Sequence, residues 1–244
     1  VSLRQILIAR GPRSCAQSAK PTAFLAVGFC HFWGPQLYRT APMSCTDLST
    51  SSRALGRVER LLGRVCNDKT DQDEVVVQID STATKEVREV LAMFDGKIRV
   101  VEFPLQKDFA TFKNNIKSVC EKDYIFFIDA DELIDENFMV NLPYVLEMNP
   151  EVEMYWVPRW NTVNGLTKEH VNRWGWNVDE LGRVNWPDLQ GRLAKNIPEI
   201  KWEGKVHERL MGYKTVSQMP DDFRLYHPKT IERQEKQNKL YKSI

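Results

Sequence analysis

Asp123-Tyr-Ile-Phe-Phe-Ile-Asp-Ala-Asp-Glu132 is the stretch that decides the fold. Its apolar run, Tyr124 to Ile128, is aromatic and β-branched and too short for a helix, which predicts a buried strand. The run ends at three acids, Asp129, Asp131 and Glu132. Ligands of open α/β sheets bind beyond the carboxyl ends of the strands, so these acids lie where a site is expected.

The spacing of the acids favours a metal site. Neighbouring carboxylates repel one another unless a positive group lies between them, and a divalent cation with oxygen ligands commonly fills that role. In an extended segment Asp129 and Asp131 point the same way, because they are two residues apart. They are then able to reach one metal ion, or a metal ion and a sugar hydroxyl. The competing interpretation is a strand end with solvated acids beside a helix N-terminus.

The composition is that of an ordinary globular protein. The chain has 244 residues and a net charge of +1, which gives no general attraction to nucleic acid or to an anionic membrane. Its five cysteines contain no C-x-x-C pair and fit a reducing compartment. The apolar run Ala23 to Trp33 is too short to span a bilayer. We therefore predict a cytoplasmic protein without a transmembrane segment, at most peripheral at a membrane.

The first fifty residues differ from the rest. Up to about Thr46 they contain five Lys and Arg residues and no Asp or Glu. We predict an atypical basic N-terminal segment at residues 1–50, a poorly ordered tail or sequence foreign to the domain, and one domain at residues 51–244. The composition also resembles that of a transit peptide. Within the segment, Leu3 to Ala9 is compatible with one strand.

From Ser51 onwards, helix and strand alternate. The periodicity predicts helices at 51–66, 84–94 and 108–120, and strands at 74–79, 98–103 and 124–128. This order is typical of a doubly wound α/β sheet. In the second half we predict helices at 137–148 and 230–244, strands at 153–159, 190–194 and 200–203, and a long Trp-rich loop over a site at 160–186.

Further candidate site residues lie outside the acidic stretch. Asp80 follows the strand at 74–79, where it serves either a site or the cap of the next helix. In His207-Glu208, the Glu is a candidate general base or metal neighbour, although a lone His is more often structural. Arg192 is able to hold a phosphate near carboxylates, or is ordinary surface charge.

Four segments together resemble the family 2 glycosyltransferases of the GT-A fold, in particular the bacterial and phage-type members. They are Asp108-Phe-Ala-Thr-Phe-Lys-Asn114, Asp123 to Glu132, Gln190-Gly-Arg-Leu193 and Trp202-Glu-Gly-Lys-Val-His-Glu208. The resemblance covers Ser51 to the C-terminus. It implies a Rossmann-like, mostly parallel α/β sheet flanked by helices. It also implies inverting transfer of a hexosyl group from a UDP- or GDP-sugar donor to a glycan, lipid or protein acceptor.

The resemblance also implies a donor site. Asp80 corresponds to the acid that contacts the nucleobase or ribose, and Asp129 and Asp131 to the DxD pair that binds Mn or Mg and so grips the donor diphosphate. His227 is a further metal neighbour. The other donor-binding residues that we predict are Lys113, Asn114, Arg192 and His207.

Glu208 is the predicted catalytic base, which removes the proton of the acceptor hydroxyl. Asp179 and Glu180, in the loop, are the alternative bases.

The start of the chain departs from the family pattern. A member opens with a strand that ends in a Thr-Tyr-Asn-like turn around the nucleobase, and Pro42 to Thr50 is no such strand. Either Leu3 to Ala9 supplies it or the strand is lost. The other interpretations are a haloacid-dehalogenase-like phosphohydrolase, for which Leu133 stands where Thr or Val is usual, a nucleotidyltransferase, suggested by Ile8 to Gly11, and a non-catalytic relic of the fold.

Overall fold

A mixed nine-stranded sheet forms the centre of the protein. The computed structural model describes residues 3–10, 50–205 and 207–241. The strands of this sheet are β1 (Leu3–Arg10), β2 (Asp73–Ile79), β3 (Arg99–Glu102), β4 (Tyr124–Asp129), β5 (Leu133–Ile134), β6 (Met154–Asn164), β7 (Val184–Lys195), β10 (Val216–Gln218) and β11 (Leu225–Thr230). Two further strands, β8 (Lys201–Glu203) and β9 (Arg209–Met211), pair with each other.

Six helices in the described part of the chain flank the sheet. They are α1 (Thr50–Asp68), α2 (Lys85–Ala92), α3 (Phe109–Ser118), α4 (Glu136–Met148), α5 (Lys168–Trp174) and α6 (Ile231–Tyr241). None of the helices that the structure describes is sufficiently long and apolar to cross a membrane.

The strand order is β3-β2-β1-β4-β7-β6-β11-β5, and β10 lies alongside β6. The pairings make β2, β3, β4, β6, β10 and β11 run in one direction and β1, β5 and β7 in the other. The predicted Rossmann-like α/β sheet with mostly parallel strands and flanking helices is therefore confirmed.

The alternation of apolar side chains places a core on each face of the sheet. In β1, Ile6 and Ile8 pack with the buried residues of α1, α2 and α4, whereas Leu7 and Ala9 pack towards α3 and Trp202 of β8. Successive side chains of a strand point to opposite faces, so a central strand must be apolar on both. The short apolar runs in the sequence have this origin.

The central strand β1 is reversed. It is antiparallel to both β2 and β4, with Gln5 opposite Gln78 on one side and Asp129 on the other. At the carboxyl end of β1, Arg10 forms a buried, bidentate ion pair with Asp73, in which the Nη2–Oδ2 distance is 2.7 Å. The predicted strand at Leu3–Ala9 is thus present, but its carboxyl end lies at the sheet edge opposite Asp129. The rest of the predicted N-terminal segment, up to residue 49, lies outside the described residues.

The prediction of a long loop at 160–186 is wrong for most of that range. β6 continues to Asn164, α5 occupies Lys168–Trp174, and β7 begins at Val184. Thr167 caps α5 through its side chain, and Gly175 ends the helix with a left-handed φ of 62°. The segment lacks a periodic pattern because these elements are only partly buried, so the sequence carries little apolar alternation.

Candidate functional site

The acidic stretch ends in a tight turn at the carboxyl end of β4. The backbone N–H of Asp129 donates to Glu132 Oε2 at 2.9 Å, and the N–H of Glu132 donates to the carbonyl of Asp129 at 2.9 Å. The segment is therefore not extended beyond Asp129, and the expectation that Asp129 and Asp131 point the same way from an extended strand is wrong. Asp129 and Asp131 contact different sets of side chains.

Asp129 is neutralised by cations from β7 and α3. Arg192 Nη2 donates to Asp129 Oδ2 at 2.6 Å and to Glu132 Oε1 at 2.8 Å, and Lys113 Nζ lies 3.9 Å from Asp129 Oδ1. Burial by itself raises the pKa of Asp129, but Arg192 and Lys113 outweigh it and hold the pKa below its usual range. Both Glu132 and Arg192 are buried, so this charge balance is internal to the protein.

Asp131 contacts side chains of β11 and α6. His227 Nε2 lies 3.1 Å from Asp131 Oδ2, and Arg233 Nη2 donates to the same oxygen at 2.7 Å. Burial raises the pKa of Asp131, yet His227 and Arg233 bring it well below its usual range. Burial has the opposite effect on a histidine. It lowers the pKa of His227, and the nearby Asp131 acts to raise it.

A chain of polar contacts connects these two carboxylates through β6 and β7. His227 Nδ1 lies 2.7 Å from Asn161 Oδ1, and Asn161 Nδ2 donates to Asp188 Oδ2 at 2.7 Å. Arg159 donates to Asp188 at 2.6 and 2.9 Å and lies 3.4 Å from Glu132 Oε1. Since Glu132 contacts Arg192, and Arg192 contacts Asp129, the chain begins and ends in the acidic stretch. We call it the polar ring.

The predicted base lies beside the polar ring. Lys113 Nζ is 2.8 Å from Glu208 Oε1 and stands over the ring of Trp202, 4.1 Å from its centroid. The Glu208 side chain is 15% exposed. Lys113, near both Glu208 and Asp129, therefore brings the predicted base and the DxD segment together at one end of the sheet.

Asp80, Asn114 and His207 have other surroundings. Asp80 follows β2 at the same sheet edge, where its carboxylate accepts from the backbone N–H groups of Thr82 and Leu105. Asn114 exchanges two hydrogen bonds with the backbone of Trp202 and so holds β8 against α3. His207 is exposed and has a left-handed φ of 58°. These contacts give Asn114 a structural role and leave Asp80 at the predicted position.

Sequence reasoning missed four side chains around the acids. They are Arg159, Asn161, Asp188 and Arg233. Strand register brings three of them together, because Arg159 pairs with Asp188 and Asn161 pairs with His227 across neighbouring strands. The sequence holds no short-range signal for such a set. The alternative base Asp179 is committed to its own turn, where it accepts from the N–H groups of Leu181 and Arg183.

The spacing of Asp131 and His227 would suit two ligands of one divalent cation, and Arg233 already donates to the same oxygen of Asp131. Ligand atoms at neighbouring positions of an octahedron are about 3 Å apart when the metal–ligand distances are about 2.1 Å, and His227 Nε2 is 3.1 Å from Asp131 Oδ2. Among the described residues no three His, Cys, Asp or Glu side chains converge on one point. The remaining ligands would then be phosphate oxygens and water, as is usual for Mg²⁺.

Comparison with known families identifies the family of the chain. A model of the family described as "Glycosyl transferase family 2" matches residues 53–200, which is more than half of the 244-residue chain. The chain therefore belongs to glycosyl transferase family 2, and its α/β sheet has the GT-A fold. It is a glycosyltransferase domain. No match to an individual curated protein was found. Both β1 and Glu208 lie outside the matched residues.

Proposed function

We propose that the protein transfers a hexosyl group from a nucleotide-sugar donor, such as a UDP- or GDP-sugar, to an acceptor hydroxyl with inversion. The observation that carries the proposal is the pair of Asp131 and His227, an oxygen and a nitrogen 3.1 Å apart beside the carboxyl end of β4. In a family 2 glycosyltransferase this is the place for the diphosphate of the donor. Family membership sets aside the phosphohydrolase and nucleotidyltransferase interpretations.

Asp131 and His227, with Asp129 nearby, are the residues that would hold Mn²⁺ or Mg²⁺. When bound, the cation supplies positive charge that stabilises the leaving diphosphate. Arg233 and Lys113 add positive charge at the two ends of the acidic stretch. Charge-assisted contacts of this kind bind phosphate oxygens strongly. Asp80, at the same edge, is suitably placed to accept a hydrogen bond from the nucleoside.

Glu208 is the base of the proposed reaction. In a single displacement the acceptor oxygen forms a bond to the anomeric carbon as the bond to the diphosphate breaks, and the base takes the hydroxyl proton. Lys113 holds the Glu208 carboxylate in one position without covering it completely. The acceptor is a hydroxyl of a glycan, a lipid or a protein. The free thiols of Cys66 and Cys120 suit a reducing compartment, and we place the enzyme in the cytoplasm.

Release of nucleoside diphosphate tests the proposal. A panel of UDP- and GDP-sugars, screened with Mn²⁺ for a shift in melting temperature, identifies the donor, and release is then measured with and without EDTA. We expect release that requires the cation and that Asp131→Ala abolishes, while Asp71→Ala, which removes an exposed acid in the turn before β2, retains it.

Two other results would contradict the proposal. Release of phosphate from simple phosphomonoesters, with nucleotide sugars untouched, would indicate a phosphohydrolase. Absence of nucleotide binding in calorimetry with Mn²⁺ would indicate a non-catalytic relic. The reversed β1 gives the second result a physical reason, because the carboxyl end of β1 lies at the sheet edge opposite the one that carries Asp129.

A further inference from the structure

We propose that Asn161, itself oriented by Asp188, fixes the ring of His227 so that Nε2 faces Asp131 and any cation bound there. Asn161 and Asp188 are thus positioning residues, which act through His227. The inference rests on the proposed cation site, but it concerns the orientation of residues that the structure shows in contact.

The first step fixes the Asn161 amide. A carboxylate only accepts hydrogen bonds, so the atom of Asn161 that lies 2.7 Å from Asp188 Oδ2 must be the NH₂ group. Asp188 cannot turn away, because Arg159 donates to its Oδ2 and Gln190 donates to its Oδ1 at 2.6 Å. The amide oxygen of Asn161 is consequently directed to the opposite side, towards His227.

The second step fixes the histidine. Asn161 Oδ1 is an acceptor 2.7 Å from His227 Nδ1, so Nδ1 must carry a proton to make this contact. This holds whether the imidazole is neutral or charged. In the neutral imidazole Nε2 is then the nitrogen that offers a lone pair, and it lies 3.1 Å from Asp131 Oδ2. Asp131 Oδ2 also accepts from Arg233 Nη2 at 2.7 Å, so a cation bound between Nε2 and this oxygen would share the carboxylate with Arg233.

The sheet supplies the rigidity that this arrangement needs. Asn161 of β6 lies directly opposite His227 of β11, and Asp188 of β7 lies opposite Arg159 of β6. Three adjacent strands therefore carry the three side chains. His227 is 4% exposed, which leaves its ring little room to turn over. Sites built on strands position their groups better than sites on loops.

Hydrogen bonds behind a metal ligand typically change metal affinity by about 10–100-fold when they are removed. The test uses the full chain and Mn²⁺ alone, without any donor. Asn161→Leu keeps the branched shape of the side chain and removes the acceptor. Thr162→Val, on the same strand, is the matched control, since Thr162 is outside the polar ring. We expect Mn²⁺ to bind about 10–100-fold more weakly to Asn161→Leu and unchanged to Thr162→Val.

A second readout follows the ring itself without metal. Long-range ¹H–¹⁵N spectra at mildly alkaline pH distinguish a proton on Nδ1 from one on Nε2, and the signals of His227 are assigned by their loss in His227→Gln. We expect Nδ1–H in the native protein and a shift towards Nε2–H in Asn161→Leu, because Nε2–H is then free to donate to Asp131.

The outcomes separate the two proposals. A native protein that binds no Mn²⁺ overturns the cation dependence of the proposed function, and the spectra then decide the orientation of His227. Native Mn²⁺ binding that Asn161→Leu leaves unchanged overturns the positioning role. A native His227 that carries its proton on Nε2 overturns it as well.

Discussion

Lys113 Nζ lies 2.8 Å from Oε1 of Glu208. The contact joins α3, which follows the third strand of the sheet, to the segment between β8 and β9. A lysine buried by Trp202 and paired with a glutamate restricts where that carboxylate can be. Proton transfer needs a base within hydrogen-bond reach of the reacting hydroxyl, and a fixed carboxylate meets that need better than a mobile one.

Glu208→Gln tests the assignment of the base. It keeps the volume of the side chain and an oxygen near Lys113 but removes the ability to take a proton. General base catalysis contributes about 10²–10⁴-fold, and we expect kcat for sugar transfer to fall by that amount. Donor affinity, measured by calorimetry, stays within about threefold of the native value because Glu208 acts on the acceptor.

The control for this prediction is Glu203→Gln. Glu203 is the last residue of β8, the strand before Glu208. Its exposed carboxylate pairs with Lys201. We expect native transfer rates for this variant. A Glu208→Gln protein with native kcat would move the base to another acid, and Glu180 would be the next to examine.

Arg192→Met tests the charge balance of the acidic stretch. The substitution leaves Asp129 and the fully buried Glu132 without their main cation. Breaking a buried ion pair by removing one partner costs about 3–5 kcal/mol, and we expect that loss in the free energy of unfolding, measured with urea. Arg88→Met is the matched control, because Arg88 pairs with Glu102 at 2.9 Å while both side chains are 45% exposed. An exposed pair is worth at most about 1 kcal/mol. Equal losses in the two variants would contradict the internal charge balance.

Gln5→Met tests the position of the reversed strand. Gln5 is 1% exposed, and neither polar atom of its amide has a hydrogen-bond partner among the residues that the structure describes. Burial of an unsatisfied polar group costs about 1–3 kcal/mol, so an apolar side chain of similar shape is expected to raise the free energy of unfolding by about that amount. Gln72→Met, at an exposed turn, is expected to change it by less than about 0.5 kcal/mol. A neutral or destabilising Gln5→Met would argue against β1 at the centre of the sheet.

We expect the buried thiol of Cys120 to make the free energy of unfolding depend on pH. Burial, the larger cause, and the charge of Glu74 raise its pKa to about 12. In the unfolded chain the thiol ionises near about pH 8.5, so the unfolded state loses its proton first as the pH rises. Below that pH, the contribution of Cys120 to the free energy of unfolding is complete. It is lost at higher pH by up to about 1.4 kcal/mol per pH unit, until the folded thiol ionises.

Urea unfolding under reducing conditions measures this effect. We expect the stability of the native protein relative to Cys120→Ala to shrink between about pH 8 and about pH 10. Ser118→Ala, at the exposed end of α3 and two residues before Cys120, is expected to keep a constant difference from the native protein. A difference for Cys120→Ala that is independent of pH would show that the thiol is not buried.

Much of the fold follows from local sequence patterns. The helix over Ser51 to Cys66 and the strands that begin at Asp73 and Tyr124 were predictable, because a strand with both faces buried must be apolar at every position and a surface helix must be apolar on one side. The acids after Tyr124 to Ile128 likewise lie at the carboxyl end of β4, as the sequence predicted. These features depend on neighbours in the chain and are therefore visible in the sequence.

What the sequence by itself determined is the class of sheet, the family resemblance and the place of Asp129 at the carboxyl end of its strand. Only the tertiary structure decided the direction of β1, since Leu3 to Ala9 has the same apolar pattern whichever way it runs. It alone also decided that Asn161 and Asp188 stand behind His227. Those contacts join residues 27 to 66 positions apart through strand register, and register is set by the packing of the whole sheet rather than by any short stretch.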